Sequence, residues 1–194
     1  MVSTRPELIE AIKAAFRGVS REGGVSWSET DVIDDYGTEE MRAIARASDT
    51  DSEWEELILS GTFLDDAAPG SFCFLDAIGF RYYLPAAMCQ ALMPELDTQG
   101  RFFGWHGSLI YHLIEADRSI FREGFLLLSK EQKRVIANFI TYNEAEMLFN
   151  LGVKEPRDFD ELFPEGRQHY ISQAVIANRE GPFSCWFPKT EAQI

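Results

Sequence analysis

Apolar residues along this chain recur mostly at intervals of three and four, the period of a helix with one buried face. Leu8, Ile9, Ile12, Ala15 and Phe16 form the first such stripe. Thr4 and Glu7 precede it at capping-box spacing, Pro6 suits a first turn, and Gly18 is a natural stop. "REGGVSWSET" reads as a loop by its glycines and serines. Thr38 is the expected N-cap of a helix over "EEMRAIARAS". A second capping box, Thr50 to Glu53, is expected to open "DSEWEELILSG", with Trp54, Leu57 and Ile58 on one face and Gly61 as its end.

"FCFLDAIGFRYYLPAAMCQALM" admits two readings. Phe72 to Leu75 and Ile78 to Leu84 form a hairpin around "DAIG", or Asp76 caps a helix that runs to Met93. The helix is favoured, because Phe80, Tyr83, Leu84, Ala87, Met88, Ala91 and Leu92 keep its period for five turns. Pro85 cannot donate to Arg81 and predicts a kink. "GRFFGWHG" is a turn-rich break, and Leu109, Ile110, Leu113 and Ile114 resume helical spacing. Ser129 and Gln132 make a third capping box before Val135, Ile136, Phe139 and Ile140, a stripe that continues through Ala145, Leu148 and Phe149 to Gly152. Pro156 opens a short helix over "EPRDFDELF". "RQHYISQAVIANR" follows with Tyr170, Ile171, Ala174 and Val175 on one side, and the tail from about 180 reads as irregular chain. The sum predicts a mainly α, compact single domain over residues 1–194 with seven or eight helices, a small β-hairpin at 72–84 being the alternative element.

Composition supports this. Hydrophobic residues make up 45% of the 194 and 15 are Phe, enough for a core without disulfides or metal. Cys73, Cys89 and Cys185 are distant from one another, odd in number and set among apolar residues, as for reduced, packed thiols in a cytoplasm. The start of the chain lacks a long apolar run and carries Glu7 and Glu10, so no targeting segment is expected. No run reaches the length of a membrane span. The reading is an acidic cytoplasmic protein.

Charge narrows the partners. The net charge of −14 disfavours binding to nucleic-acid phosphates. Between Glu29 and Asp66 stand thirteen acids and two bases, Arg42 and Arg46, a local charge of −11. A field so concentrated steers cationic partners.

The chemistry-bearing patterns are mostly missing. Asp31, Asp34 and Asp35 lack the spacing of a calcium loop and a nearby His, and no nucleophile stands beside them, so neither a metal nor a cofactor is expected. His106 and His112 fall on different helix faces, and His169 stands alone. There is no G-x-S-x-G elbow and no phosphate-cradling glycine run. "GFRYYLPAAM" is the most distinctive string. Arg81 is available to an acid of the segment upstream, and Tyr82 and Tyr83 point to different faces, one of them toward solvent or a pocket.

"FLDAIGFRYYLPAAM", with "VIDDYG" upstream and "LSKEQKRVIANFI" downstream, resembles a family of small bacterial proteins that share a Phe-Arg-Tyr-Tyr-Leu-Pro-Ala core. The resemblance spans roughly residues 5–145. It implies a helical core and carries no activity and no catalytic residue with it.

The functional expectation is a non-enzymatic, immunity-type or regulatory protein that docks a basic partner. Asp31, Asp34, Asp35, Glu39, Glu40 and Glu55 are its expected contact residues. The rival is an enzyme with a pocket formed by Arg81, Tyr82, Tyr83 and His106 beside the acidic segment.

Overall fold

A computed structural model describes residues 4–60, 71–93, 96, 109–114, 116–117, 121–152 and 158–187. Every regular element among them is helical and none is a strand. The chain divides into two compact units, residues 1–15 with 129–194 and residues 16–128.

The first unit is built on α1 (Arg5–Phe16), whose last residue already belongs to the second unit. The expected cap is present: Thr4 N–H donates to Glu7 Oε2 at 3.2 Å, and Glu7 N–H donates to Thr4 Oγ1 at 3.4 Å. Gly18 follows the helix in the left-handed region, at φ 70°. The long helix of this unit, Lys130–Leu151, starts on the Ser129–Gln132 box, with both reciprocal bonds formed at 3.0 and 3.1 Å. It ends at Gly152. Val135, Ile136, Phe139, Ile140, Ala145 and Phe149 are buried along it, as the stripe predicts.

A 3-10 turn, Phe159–Glu161, is capped by Asp158, and the expected start at Pro156 lies outside the described residues. The helix after it spans Pro164–Glu180, three residues earlier than its apolar stripe suggests. Proline at the first helical position has φ already set and no needed donor, so it begins the helix. Arg5 ties the unit together: its backbone N–H donates to Asp160 Oδ2 at 2.9 Å and its guanidinium reaches Glu146 at 2.5 Å and Asp158 at 3.3 Å. Tyr142 donates to the other Asp160 oxygen at 2.8 Å while its ring meets Phe159 edge-on. The tail is less irregular than its prolines suggest, with a 3-10 turn at Ser184–Trp186 that buries Trp186.

The second unit contains α2 (Trp27–Asp34), α3 (Glu39–Ser48), a 3-10 turn Trp54–Glu56 running into α4 (Leu57–Ser60), α5 (Ser71–Phe74), α6 (Ala77–Ala91), a helical stretch at 109–113 and α7 (Arg122–Leu127). In chain order the helices of the first unit that follow are α8 (Lys130–Leu151) and α9 (Pro164–Glu180).

Two expectations change in this unit. "VSWSET" is not loop throughout: α2 begins at Trp27, because Ser26 and Glu29 themselves stand at capping-box spacing, and Ser26 N–H donates to Glu29 Oε2 at 3.2 Å. Thr50 does not cap the next helix. Glu53 precedes a 3-10 turn instead, and Ser52 donates from N–H and Oγ to Glu56 at 3.2 and 2.9 Å. Trp54, Leu57 and Ile58 are buried as expected. Gly61 and "GRFFGWHG" lie outside the described residues.

The hairpin at 72–84 is overturned, since both of its proposed strands are helical. Asp76 caps α6 by accepting from Gly79 N–H at 2.7 Å, and the same oxygen accepts from Val25 N–H at 3.1 Å. That second bond draws the chain at Val25 against the helix start. A Cβ on Gly79 would lie 2.4 Å from the Val25 carbonyl oxygen, so only glycine permits this approach. From Gly79 to Gln90, α6 is buried on almost every face, which makes it the core of the unit. Pro85 sits inside it, buried. Gln90, also buried, donates to the carbonyls of Leu57 and Ile58 at 3.1 and 2.9 Å, satisfying groups that a short helix leaves open.

Candidate functional site

Among the elements of the second unit, α3 alone among the longer helices has no buried residue. Thr38 caps it as expected, accepting from Met41 N–H at 3.3 Å. What attaches it is charge. Glu29, on α2, has no exposed side-chain surface, yet it takes both arginines of α3. Arg42 donates to Oε1 from Nε and Nη2 at 2.9 and 2.8 Å; Arg46 donates from Nε to Oε2 at 2.9 Å and from Nη2 to Oε1 at 2.5 Å. Burial alone would raise the Glu29 pKa; the bonds from Arg46, the Ser26 N–H and Arg42 outweigh it and hold the group below its ordinary value.

The turn between α2 and α3 is a Schellman motif. Tyr36 N–H donates to Ile33 O at 3.1 Å and Gly37 N–H donates to Val32 O at 2.7 Å. The left-handed position of that motif normally belongs to glycine. Here Tyr36 holds it, at φ 55°, with 96% of its surface exposed. Gly37 comes one residue later and packs so closely that a Cβ would fall 2.4 Å from Val32 Cγ1 and 3.6 Å from the Met41 methyl. Met41 and Ile44 share the outer face of α3 and are 51% and 68% exposed.

The expected contact residues divide accordingly. Asp31, Asp34, Asp35, Glu39 and Glu40 are all exposed on this helix–turn–helix. Glu39 pairs along the surface of α3, 3.3 Å from Arg42 and 3.7 Å from Arg46. Asp34, Asp35 and Glu40 form no ion pair among the described residues. Glu55 is half-buried in the separate 3-10 turn.

Of the expected pocket residues, the two tyrosines serve the interior. Tyr82 and Tyr83 are both buried, with rings 5.0 Å apart and nearly perpendicular. Tyr83 Oη accepts from Arg21 Nη1 and from Trp27 N–H, each at 2.9 Å. Tyr82 donates to Asp51 Oδ2 at 2.7 Å, and Arg21 completes the ring with an ion pair to Asp51 at 3.5 Å and a bond to Asp49 O at 3.1 Å. Asp49 in turn accepts from Ser28 N–H and Oγ at 2.9 and 2.6 Å, at the start of α2. Burial raises both phenols, Tyr83 to about 12. Both tyrosines thus face one network, although adjacent helical positions diverge. Arg81 is half-buried, and its Nε has no acceptor among the described residues. His106 lies outside the described residues. A small hollow of about 80 Å³ next to α6 is lined by Asp76, Phe80, Phe121 and Glu123, not by Arg81 or the tyrosines. Cys73, expected to be packed, is exposed; partial burial of its sulfur and the Asp34 charge hold the thiol above its ordinary pKa.

The signature of a family of unknown function, DUF6714, matches residues 4–148. The chain belongs to that family. Neither a curated protein nor a solved structure matches it. The DUF6714 region includes α2, α3, the Arg21–Asp51–Tyr82–Tyr83 network and all of α6, and it ends within α8. No described helix is long and apolar enough to cross a membrane.

Sequence reasoning missed Glu29, Arg21, Asp49, Asp51 and Tyr36 as the residues that shape this region. Only Glu29 left a signal, its three-residue spacing from Ser26. The others are brought together across gaps of 21 to 31 residues or more, or, for Tyr36, by a backbone angle that residue type does not reveal.

Proposed function

We propose that this protein is a non-enzymatic docking protein, immunity-type or regulatory, that engages a basic partner protein through the α2–α3 face. The observation that carries the reading is Tyr36, an aromatic ring held almost fully in solvent at a strained position that glycine would fill without strain. Tyrosine is a favoured anchor at interface centres. Met41 and Ile44 extend the apolar centre, and Asp34, Asp35 and Glu40 stand around it. Arg42 and Arg46 pair with Glu29 and Glu39 and form no ion pair with those three carboxylates. An apolar anchor ringed by like charges suits a partner with a hydrophobic recess bordered by Lys and Arg. The mechanism is occlusion: the ring seats in the recess while the carboxylates accelerate encounter and fix orientation.

The experiment is capture of a partner at low salt by the full chain, its identification by mass spectrometry, and binding measured across salt concentrations. The captured protein should be basic, and its affinity should fall as salt rises. Asp34→Lys/Asp35→Lys/Glu40→Lys should slow association, and Tyr36→Ser should mainly speed dissociation. Unchanged binding by both variants would sink the proposal.

A further inference from the structure

The first unit contains a cleft of about 570 Å³, within the range of small-molecule sites. It is bounded by the N-terminal half of α8, Val175 of α9 and residues 185–187. Its walls are largely apolar, formed by Ala137, Val175, Trp186 and Phe187. Thr141 adds little polarity, because its hydroxyl is spent on Ala137 O at 2.8 Å. On the rim stand Lys130, Lys133 and Arg134, and no acid lines the cleft among the described residues. That is an unusual concentration of positive charge in a chain of net charge −14.

The placement sharpens the point. All three cations occupy the first two turns of α8, where the helix dipole is positive and where Asp or Glu is the stabilising choice. Glu131 pairs with Arg134 at 2.5 Å. A bound anion would be favoured by the lysines and by the helix end together. The apolar walls select the rest of the ligand.

We propose that this cleft binds a small amphiphilic anion, its carboxylate or phosphate head on the Lys130–Lys133 rim and its apolar body along Val175, Trp186 and Phe187. The cleft belongs to the first unit and the α2–α3 face to the second, and nothing in the docking proposal depends on it.

The test titrates the full chain, by calorimetry and tryptophan fluorescence, with decanoate, decyl phosphate, decyltrimethylammonium and inorganic phosphate, each below its aggregation threshold. Saturable one-to-one binding is expected for the two anionic amphiphiles, with their order reporting which head the rim prefers. Inorganic phosphate alone and the cationic amphiphile should not saturate. Lys130→Glu should weaken both anions by about tenfold, the weight of one charge-assisted contact. Lys130 is exposed and Glu suits a first turn, so this variant should fold at least as well as the parent. Trp186→Phe should remove most of the fluorescence change, because that ring lines the cleft. No saturable anion binding, equal affinity for the cationic amphiphile, or full affinity in Lys130→Glu would each overturn the proposal.

Discussion

Arg46 meets Glu29 side-on, Nε to Oε2 at 2.9 Å and Nη2 to Oε1 at 2.5 Å, across 17 residues of chain. With Arg42 on the same carboxylate, this contact replaces the apolar core that α3 lacks.

Glu29→Gln should therefore loosen α3 rather than unfold the unit outright. It leaves two arginines facing a neutral amide, a loss of about 2 kcal/mol after discounting for their partial exposure. Amide hydrogen exchange should accelerate first over residues 38–48. The same contact sets an acid dependence. Glu29 titrates below its ordinary value of 4.5, so its contribution is complete above that pH and disappears as pH falls through the lower folded value. Denaturation midpoints of the parent and Glu29→Gln, measured from pH 7 down to 3, should converge at the acid end.

Tyr36→Gly should stabilise the protein while removing the proposed anchor. Relief of the left-handed strain is worth about 1–2 kcal/mol, and the freer unfolded chain takes back part of it, for a net gain of about 0.5–1 kcal/mol. Urea denaturation is the measurement. A loss of stability would mean that the ring is held by contacts within the fold, and the case for a binding role would weaken.

Tyr83→Phe should cost about 2 kcal/mol, because the Trp27 N–H and one Arg21 donor lose a buried acceptor. The parent should also weaken in alkali. Its Tyr83 pKa stands at about 12 against an ordinary 10, so the neutral phenol supports the fold below pH 10 and that support declines as pH rises toward 12. Thermal melts of the two proteins between pH 8 and 12 should show the steeper decline in the parent.

Gly79→Ala should be destabilising despite alanine's better helix propensity. The gain is about 1 kcal/mol, and the new Cβ would sit 2.4 Å from a backbone oxygen that the Asp76–Val25 bond holds in place. A net loss of about 2 kcal/mol is expected from overpacking of this kind, read as a lower urea midpoint.

Local rules in the sequence determined the helical class of this protein, the caps at Thr4, Thr38, Asp76 and Ser129, and the buried stripe of α8. These depend on neighbours three or four residues away, and such spacing is visible in a linear string. The same string concentrated acid between Glu29 and Asp66 without revealing which carboxylate turns inward. Tertiary structure decided that, by burying Glu29 against two arginines from the next helix while Asp34 and Asp35 remained in solvent. It also decided that Tyr83 bonds Arg21 while Tyr82 bonds Asp51, and that Tyr36 occupies a glycine's place. In each case the outcome turned on the desolvation of a polar group or on one backbone angle, and both are properties of the folded surroundings rather than of residue type.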